Sequence, residues 1–252
     1  HTISRRQRQM CIRDRDGSSK GITFFQWMIL GTLTLTSTLY AMSMTIANIA
    51  LPQLQGALGA TQDQIAWTVT FNIIGTAIVT PMTGWLTLRF GQRRLMLCAI
   101  FGFATSSILC GQANALPELV IYRVFQGAFG GPLVPLSQAI ILGVFPRRLH
   151  SFATAVWGMG VVCGPIIGPT VGGYISEAYS WRWIFYIIAP FSLLAFLGAW
   201  LYVRNTTHNK LSKLDWTGFI SLSIAVTALQ LMLDRGNRLS LIHISEPTRR
   251  TI

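Results

Sequence analysis

Seven apolar runs follow one another along the chain, at about 24–47, 65–88, 94–113, 118–144, 151–175, 183–203 and 216–233. Each is close to the ~20 residues that a helix needs to cross a bilayer. The pattern predicts an all-α polytopic membrane protein. The first run is too long for a secretory signal and has no cleavage site after it, so it can direct insertion itself. The fifth run reads WGMGVVCGPIIGPTVGGYI, with Gly160, Gly164, Gly168 and Gly172 at every fourth position. On a helix that spacing keeps the four glycines on nearly one face, which another backbone can approach closely. Gly173 follows, and Pro165 and Pro169 each remove a backbone donor and bend the helix. Either this helix rocks, or the glycines form a static packing groove.

Composition agrees with the pattern. The chain is 51% hydrophobic and 11% charged, against about 25% charged in a soluble domain. The formal charge of +12 raises the question of nucleic acid, but its distribution argues against one. Arg89, Arg93 and Arg94 follow the second run, Arg147 and Arg148 the fourth, and Arg204, Lys210 and Lys213 the sixth. Basic residues in every second connection mark the cytoplasmic side and place the N-terminus there. The cysteines and histidines show no metal-site spacing or disulfide framework, and no cofactor is expected. No nucleophile–base pair stands at membrane depth, so an enzyme is not expected either.

The polar ends, residues 1–20 and 239–252, share no pattern with the helices and resemble translated sequencing-adapter read-through; natural tails are the alternative. Between them, residues 21–205 are expected to form a six-helix unit, and residues 206–238 a cytoplasmic loop and a seventh helix.

Several polar residues lie where lipid would penalise them. Arg123, in LVIYRVFQGAFGGPLVPLSQAIIL, costs about 2.5–3.5 kcal/mol if it lies near the bilayer centre. It either faces a cavity or partner, with Gln126 on its face and Gly127 leaving room, or snorkels outward near Glu118. Asp63, before the second run, is either a titrating group or a helix N-cap. Asn72 and Gln138 either line a cavity or tie helices together. In GWLTLRFGQRR, Gly84 allows close helix contact and Gly91 a left-handed helix end. Arg89, Arg93 and Arg94 then meet the cytoplasmic leaflet. Trp181, Arg182, Trp183 and Trp67 read as an interfacial belt, and Pro52 and Gly56 as the end of the first helix.

These motifs together resemble the major facilitator superfamily, in its fourteen-helix drug:proton antiporter, or EmrB-type, branch. The residues that carry the resemblance are TIANIALPQLQG, the GWLTLRFGQRR loop, Arg123-x-x-Gln126-Gly127, PLVPLSQ, the Gly160–Gly173 run, SWRWIFYI and LQLMLDRG. It spans about residues 24–238. Two positions depart from the family: Leu88 stands where the loop motif has an acid, and Ser43 where many relatives have one in helix one. The resemblance implies two six-helix halves with two helices inserted between them, of which this chain holds the N-terminal half and one inserted helix.

It also implies efflux of amphipathic, drug-like small molecules across the cell inner membrane in exchange for protons, by alternating access. Arg123, Gln126, Glu118 and Asp63 are then the proton-coupling candidates, and Asn72, Gln138 and Ser43 the cavity-lining ones. The glycine run becomes the antiporter motif of helix five. Partners implied by the family are a membrane-fusion protein and an outer-membrane channel. A heptahelical receptor is disfavoured by the inferred cytoplasmic N-terminus. A membrane scaffold built on half a transporter is the alternative.

Overall fold

In a computed structural model the described residues are 22–204 and 216–244. Residues 1–20, the loop carrying Lys210 and Lys213, and residues 245–252 lie outside them. Among the described residues there is no strand. Six helices are long and apolar enough to cross a membrane: α1 (Phe24–Ile49), α2 (Gln62–Phe90), α3 (Gln92–Gln112), α4 (Leu116–Val144), α5 (Arg147–Ala178) and α6 (Arg182–Tyr202). A seventh helix, α7, runs Trp216–Ile244; it continues through residues 239–244, which sequence alone sets apart as a tail. The protein is a multi-pass membrane protein.

Local chemistry explains the ends and breaks. Thr61 caps α2: its hydroxyl accepts from Gln64 N at 3.3 Å while Gln64 Oε1 accepts from Thr61 N at 3.0 Å, a reciprocal box that satisfies two donors. Asp63 is therefore not the cap; it sits exposed in the first turn, where its charge suits the helix dipole. Helix α2 tightens into a 3₁₀ turn at Thr80–Met82 around Pro81, and α4 is interrupted at Gly131–Pro132. Helix α5, by contrast, stays continuous over His150–Ala178 with Pro165 and Pro169 inside it. After α1, Pro52 starts a short helix, Leu51–Leu58, which Gly59 ends at φ 60°. Gly56 lies exposed within that short helix, so Gly59 supplies the turn.

The most extensive contacts are α1 on α5 and α2 on α4, while α3 packs on both α4 and α6, and α6 also packs on α1. Exchanging α1–α3 for α4–α6 leaves this pattern unchanged, as expected of two inverted three-helix repeats. Two apolar cores fill the bundle. One holds Leu33, Phe103, Leu136 and Ala195; the other, toward the opposite end, holds Ile46, Leu54, Leu119 and Phe185. Between them on α3 and α4 lies a polar layer: Ser106, Ser107, Arg123 and Gln126, all buried.

Trp181 belongs to the second core at 6% exposure and packs edge-on to Phe185, whereas Trp183 is 53% exposed. The belt expected from both is therefore built from Trp183 and the half-exposed Trp67 only. Arg182 turns inward too, donating to the carbonyls of Gly111 and Ala113 at 3.0 Å each and to Asn114 Oδ1 at 3.2 Å. It thereby satisfies carbonyls that the end of α3 leaves free.

Candidate functional site

Helix α4 begins at Leu116 behind Ala115 and Pro117, and its residues at positions 119, 123, 126, 127 and 130 form its buried face. That spacing brings Arg123 and Gln126 to one side, one turn apart. Arg123 is 1% exposed, so it does not snorkel. Its Nη1 donates to Gln126 Oε1 at 2.6 Å, and Gln126 Nε2 donates to Ser107 Oγ on α3 at 2.7 Å. The guanidinium lies 5.5 Å from the Phe185 ring centroid on α6, a cation–π arrangement. One chain of contacts thus joins α4 to α3 and α6. No carboxylate among the described residues pairs with Arg123.

Asn72 on α2 is buried, and its Nδ2 donates to the Arg123 carbonyl at 2.9 Å. Of the two roles open to it, tying helices together is the one this bond performs. The adjacent turn repeats the theme: Thr76 Oγ1 donates to Gly127 O at 3.2 Å and meets Tyr40 OH at 3.0 Å. A Cβ on Gly127 would collide with the Asn72 backbone. Gly127 therefore admits α2, rather than leaving space beside Arg123. Arg123 Nε and Asn72 Oδ1 are buried without hydrogen-bond partners.

The other polar candidates do not join this cluster. Glu118 is exposed and accepts from Asn114 N at 3.1 Å, closing the turn before α4. Asp63 is exposed at the start of α2. Ser43 is buried, but its hydroxyl donates to Tyr40 O on its own helix at 2.7 Å. Gln138 is exposed on α4, and its buried neighbour Ser137 faces inward instead. Ser107 and Phe185 were not among the residues singled out from sequence. A serine pair inside an apolar helix was the available signal for the first; for the ring there was none.

The glycines of α5 have an occupant. Gly160, Gly164, Gly168 and Gly172 face α1, where an added Cβ would strike Thr34, the Thr38 carbonyl, Thr45 and Ile46 in turn. Thr38 Oγ1 donates across the seam to Gly160 O at 2.8 Å. Gly173 lies off this face, with only Ile49 near it at 3.9 Å. Val162, Pro165 and Ile166 are exposed on the side of α5 away from α1.

In the basic loop, Gly91 ends the second segment of α2 at φ 86°, ψ 153°, a positive φ with extended ψ rather than the left-handed helical value. Gly84 is exposed and a Cβ there would meet nothing within 4 Å, so it makes no close helix contact. Arg89 lies 5.8 Å over the Trp85 ring. Arg93 donates to the Trp200 carbonyl near the end of α6, and Gln26 at the start of α1 donates to the Val144 carbonyl at the end of α4. These ties bring the α2–α3 and α4–α5 connections, with Arg94, Arg147 and Arg148, to one end of the bundle.

Residues 33–244 match the family model of the Major Facilitator Superfamily. The chain is 42% identical over 205 residues to the multidrug export protein EmrB of Haemophilus influenzae, covering 81% of this chain and 40% of that protein. It is 39% identical over 208 residues to the protein of the same name in Escherichia coli strain K12, covering 82% and 41%. With the fatty acid resistance protein FarB of Neisseria gonorrhoeae the identity is 37% over 217 residues, covering 84% and 42%. The chain spans about two fifths of the length of these curated relatives. Among solved structures, the xylose transporter XylE from E. coli in a partially occluded inward-open conformation matches with TM-score 0.67 at 18% identity, covering 88% of this chain and 60% of that one. The human organic anion transporter MFSD10 matches with TM-score 0.62 at 18% identity, covering 78% and 53%. At such identities the likeness is one of fold.

Proposed function

The chain belongs to the major facilitator superfamily, and we propose that it forms the N-terminal six-helix half, with one further helix, of a proton-coupled exporter of amphipathic small molecules. The observation that carries this is its 39–42% identity to proteins named as multidrug exporters. The membrane is the inner membrane, with the basic end of the bundle in the cytoplasm and the N-terminus on that side. A membrane-fusion protein and an outer-membrane channel complete the export route.

Arg123 and Gln126 form the coupling centre. A fixed cation in a dry layer lowers the proton affinity of any acid that comes near it, and acts through its field as well as by contact. Glu118 stands five residues away on the same helix, about 7.5 Å along the axis. Glu118 and Asp63, the latter at the mouth of α2, are the exposed acids assigned to the proton path. Asn72 holds the Arg123 turn in register with α2, and Ser43 and Gln138 border the substrate path. Alternating access requires this half to move against a second one. Because the glycine face of α5 is filled by α1, the moving contact is the opposite, exposed face of α5.

The test is export from an efflux-deficient strain that carries the complete protein of which this chain is part. Expression should lower accumulation of an amphipathic cationic dye, and collapse of the proton gradient should abolish the difference. Arg123→Ala should remove proton-linked export while the protein still reaches the membrane. Undiminished export in that variant overturns the role of Arg123, and export that survives gradient collapse overturns proton coupling.

A further inference from the structure

A groove on the outside of the bundle has the chemistry of a phospholipid site. It lies between α2, α3 and α4, encloses about 390 Å³, and is walled by Val79, Leu86, Phe90, Cys98 and Phe129, with Arg94 the one charged residue on its lining. Arg94 is exposed and, unlike Arg93 and Arg89, is engaged by no other described residue. It occupies the first turn of α3, at the basic end of the bundle. From Arg94 to Ala99 the α3 wall runs on the order of 8 Å into the apolar region. A cation at the headgroup level thus opens onto carbon-lined space beneath it.

Charge complementarity selects the occupant. Within residues 22–204 the acids are Asp63, Glu118 and Glu177. They stand at the start of α2, the start of α4 and the end of α5, all at the far end of the bundle from Arg94. Among the described residues no carboxylate is there to neutralise the guanidinium. Basic pockets between membrane helices on the cytoplasmic side attract anionic headgroups. We infer that this groove binds one anionic phospholipid, its phosphate on Arg94 and an acyl chain along Cys98 and Phe129. Its placement in the inner leaflet rests on the orientation proposed above; the site itself does not depend on export.

Native mass spectrometry of the full chain, released from detergent with equal amounts of phosphatidylglycerol and phosphatidylcholine of identical acyl chains, tests this directly. The wild-type chain should retain phosphatidylglycerol about fivefold better, the gain of one basic residue at an anionic headgroup. Arg94→Gln should abolish that preference. Cys98→Trp, which fills the groove from an exposed position, should reduce retention of both lipids. Arg147→Gln, an exposed arginine at the same end but off the groove, should change nothing. Equal retention of the two lipids by the wild-type chain overturns the proposal and leaves the groove to bulk lipid or another protein surface. A preference that survives Arg94→Gln, or is lost equally in Arg147→Gln, overturns it as well. Because no arm measures export, failure here is distinct from failure of the exporter reading.

Discussion

Gly164→Ala measures how tightly α1 and α5 are joined. A methyl carbon at 164 would lie 2.6 Å from the Thr38 carbonyl oxygen and 3.0 Å from Met42 N. Both are backbone atoms of α1, so no rotamer change relieves the overlap. Restoring contact at ~3.5 Å requires the two helices to part locally by about 0.9 Å. One turn away, the 2.8 Å bond from Thr38 to Gly160 O would stretch with them. Lipid supplies no hydrophobic drive to close the seam again, since its tails are as apolar as the side chains. Overpacking of this kind costs about 1–3 kcal/mol, and alanine's better helix propensity returns about 0.5–1 kcal/mol. The net expectation is a loss of about 0–2.5 kcal/mol, centred near 1 kcal/mol.

Gly173→Ala is the matched control. Its new methyl would meet only Ile49 at 3.9 Å, an ordinary contact, so it should stabilise by about 0.5–1 kcal/mol. Reversible unfolding in mixed micelles, followed by tryptophan fluorescence against denaturing detergent, separates the two variants. Midpoints that agree within about 0.5 kcal/mol would refute the close seam, because the packing difference alone exceeds that. In the complete protein Gly164→Leu should also stop export, and normal turnover there would mean that α1 yields readily.

Further expectations follow from the loops and the polar layer. Arg182→Ala deprives the end of α3 of its donor, and hydrogen bonds from a charged group are worth about 1.5–3 kcal/mol. A clear fall in melting temperature with normal membrane insertion is expected; an unchanged melting curve would show the contact to be idle. Gly91→Ala forces a methyl-bearing residue to φ 86° and should cost about 1–3 kcal/mol, while Gly84→Ala, in open space, should gain about 0.5–1 kcal/mol. Equal thermal shifts for that pair would contradict the backbone geometry of the loop. Gln126→Ala leaves Arg123 Nη1 and Ser107 Oγ without their shared partner and should cost about 1–3 kcal/mol; Gln126→Glu should bring export activity under the control of pH, and a flat pH profile would argue against Arg123 as the coupling centre.

Much of the architecture is legible in the sequence because lipid leaves so few options. A helix that must satisfy its own backbone donors and cross ~30 Å announces itself as a long apolar run. Thus the run expected at 183–203 is the helix Arg182–Tyr202. Which helix meets which is less legible, since the pairing of α1 with α5 links residues more than a hundred positions apart. The glycines at 160–172 show that something approaches closely, but not that α1 does. Trp181 and Trp183 look alike in sequence, yet the start of α6 tucks the first beneath Arg182 and leaves the second in the open. At α2 the four residues TQDQ carried the true capping signal, Thr61 and Gln64, and the charge of Asp63 drew attention from it. Arg123 stood out as a charge in an apolar run, but its fork to Gln126 and onward to Ser107 needed the register between α3 and α4.

The pairing of the helices also orders events during synthesis. Helix α1 finds its main partner only when α5 emerges, on the order of ten seconds later at 5–20 residues per second. Until then it has only its lighter contacts with α2, α3 and α4, and its side chains are suited to that wait. The hydroxyls of Thr32, Thr36 and Ser43 all donate to carbonyls of α1 itself, at 2.7–2.8 Å. Helices α2 and α4 are different. The Asn72 amide on α2 reaches the Arg123 carbonyl on α4, and only α3 separates them in the chain. The segment whose polar groups depend on a neighbour waits the shorter time, so the nascent bundle closes from its middle outward, with α1 the last early helix to be clasped.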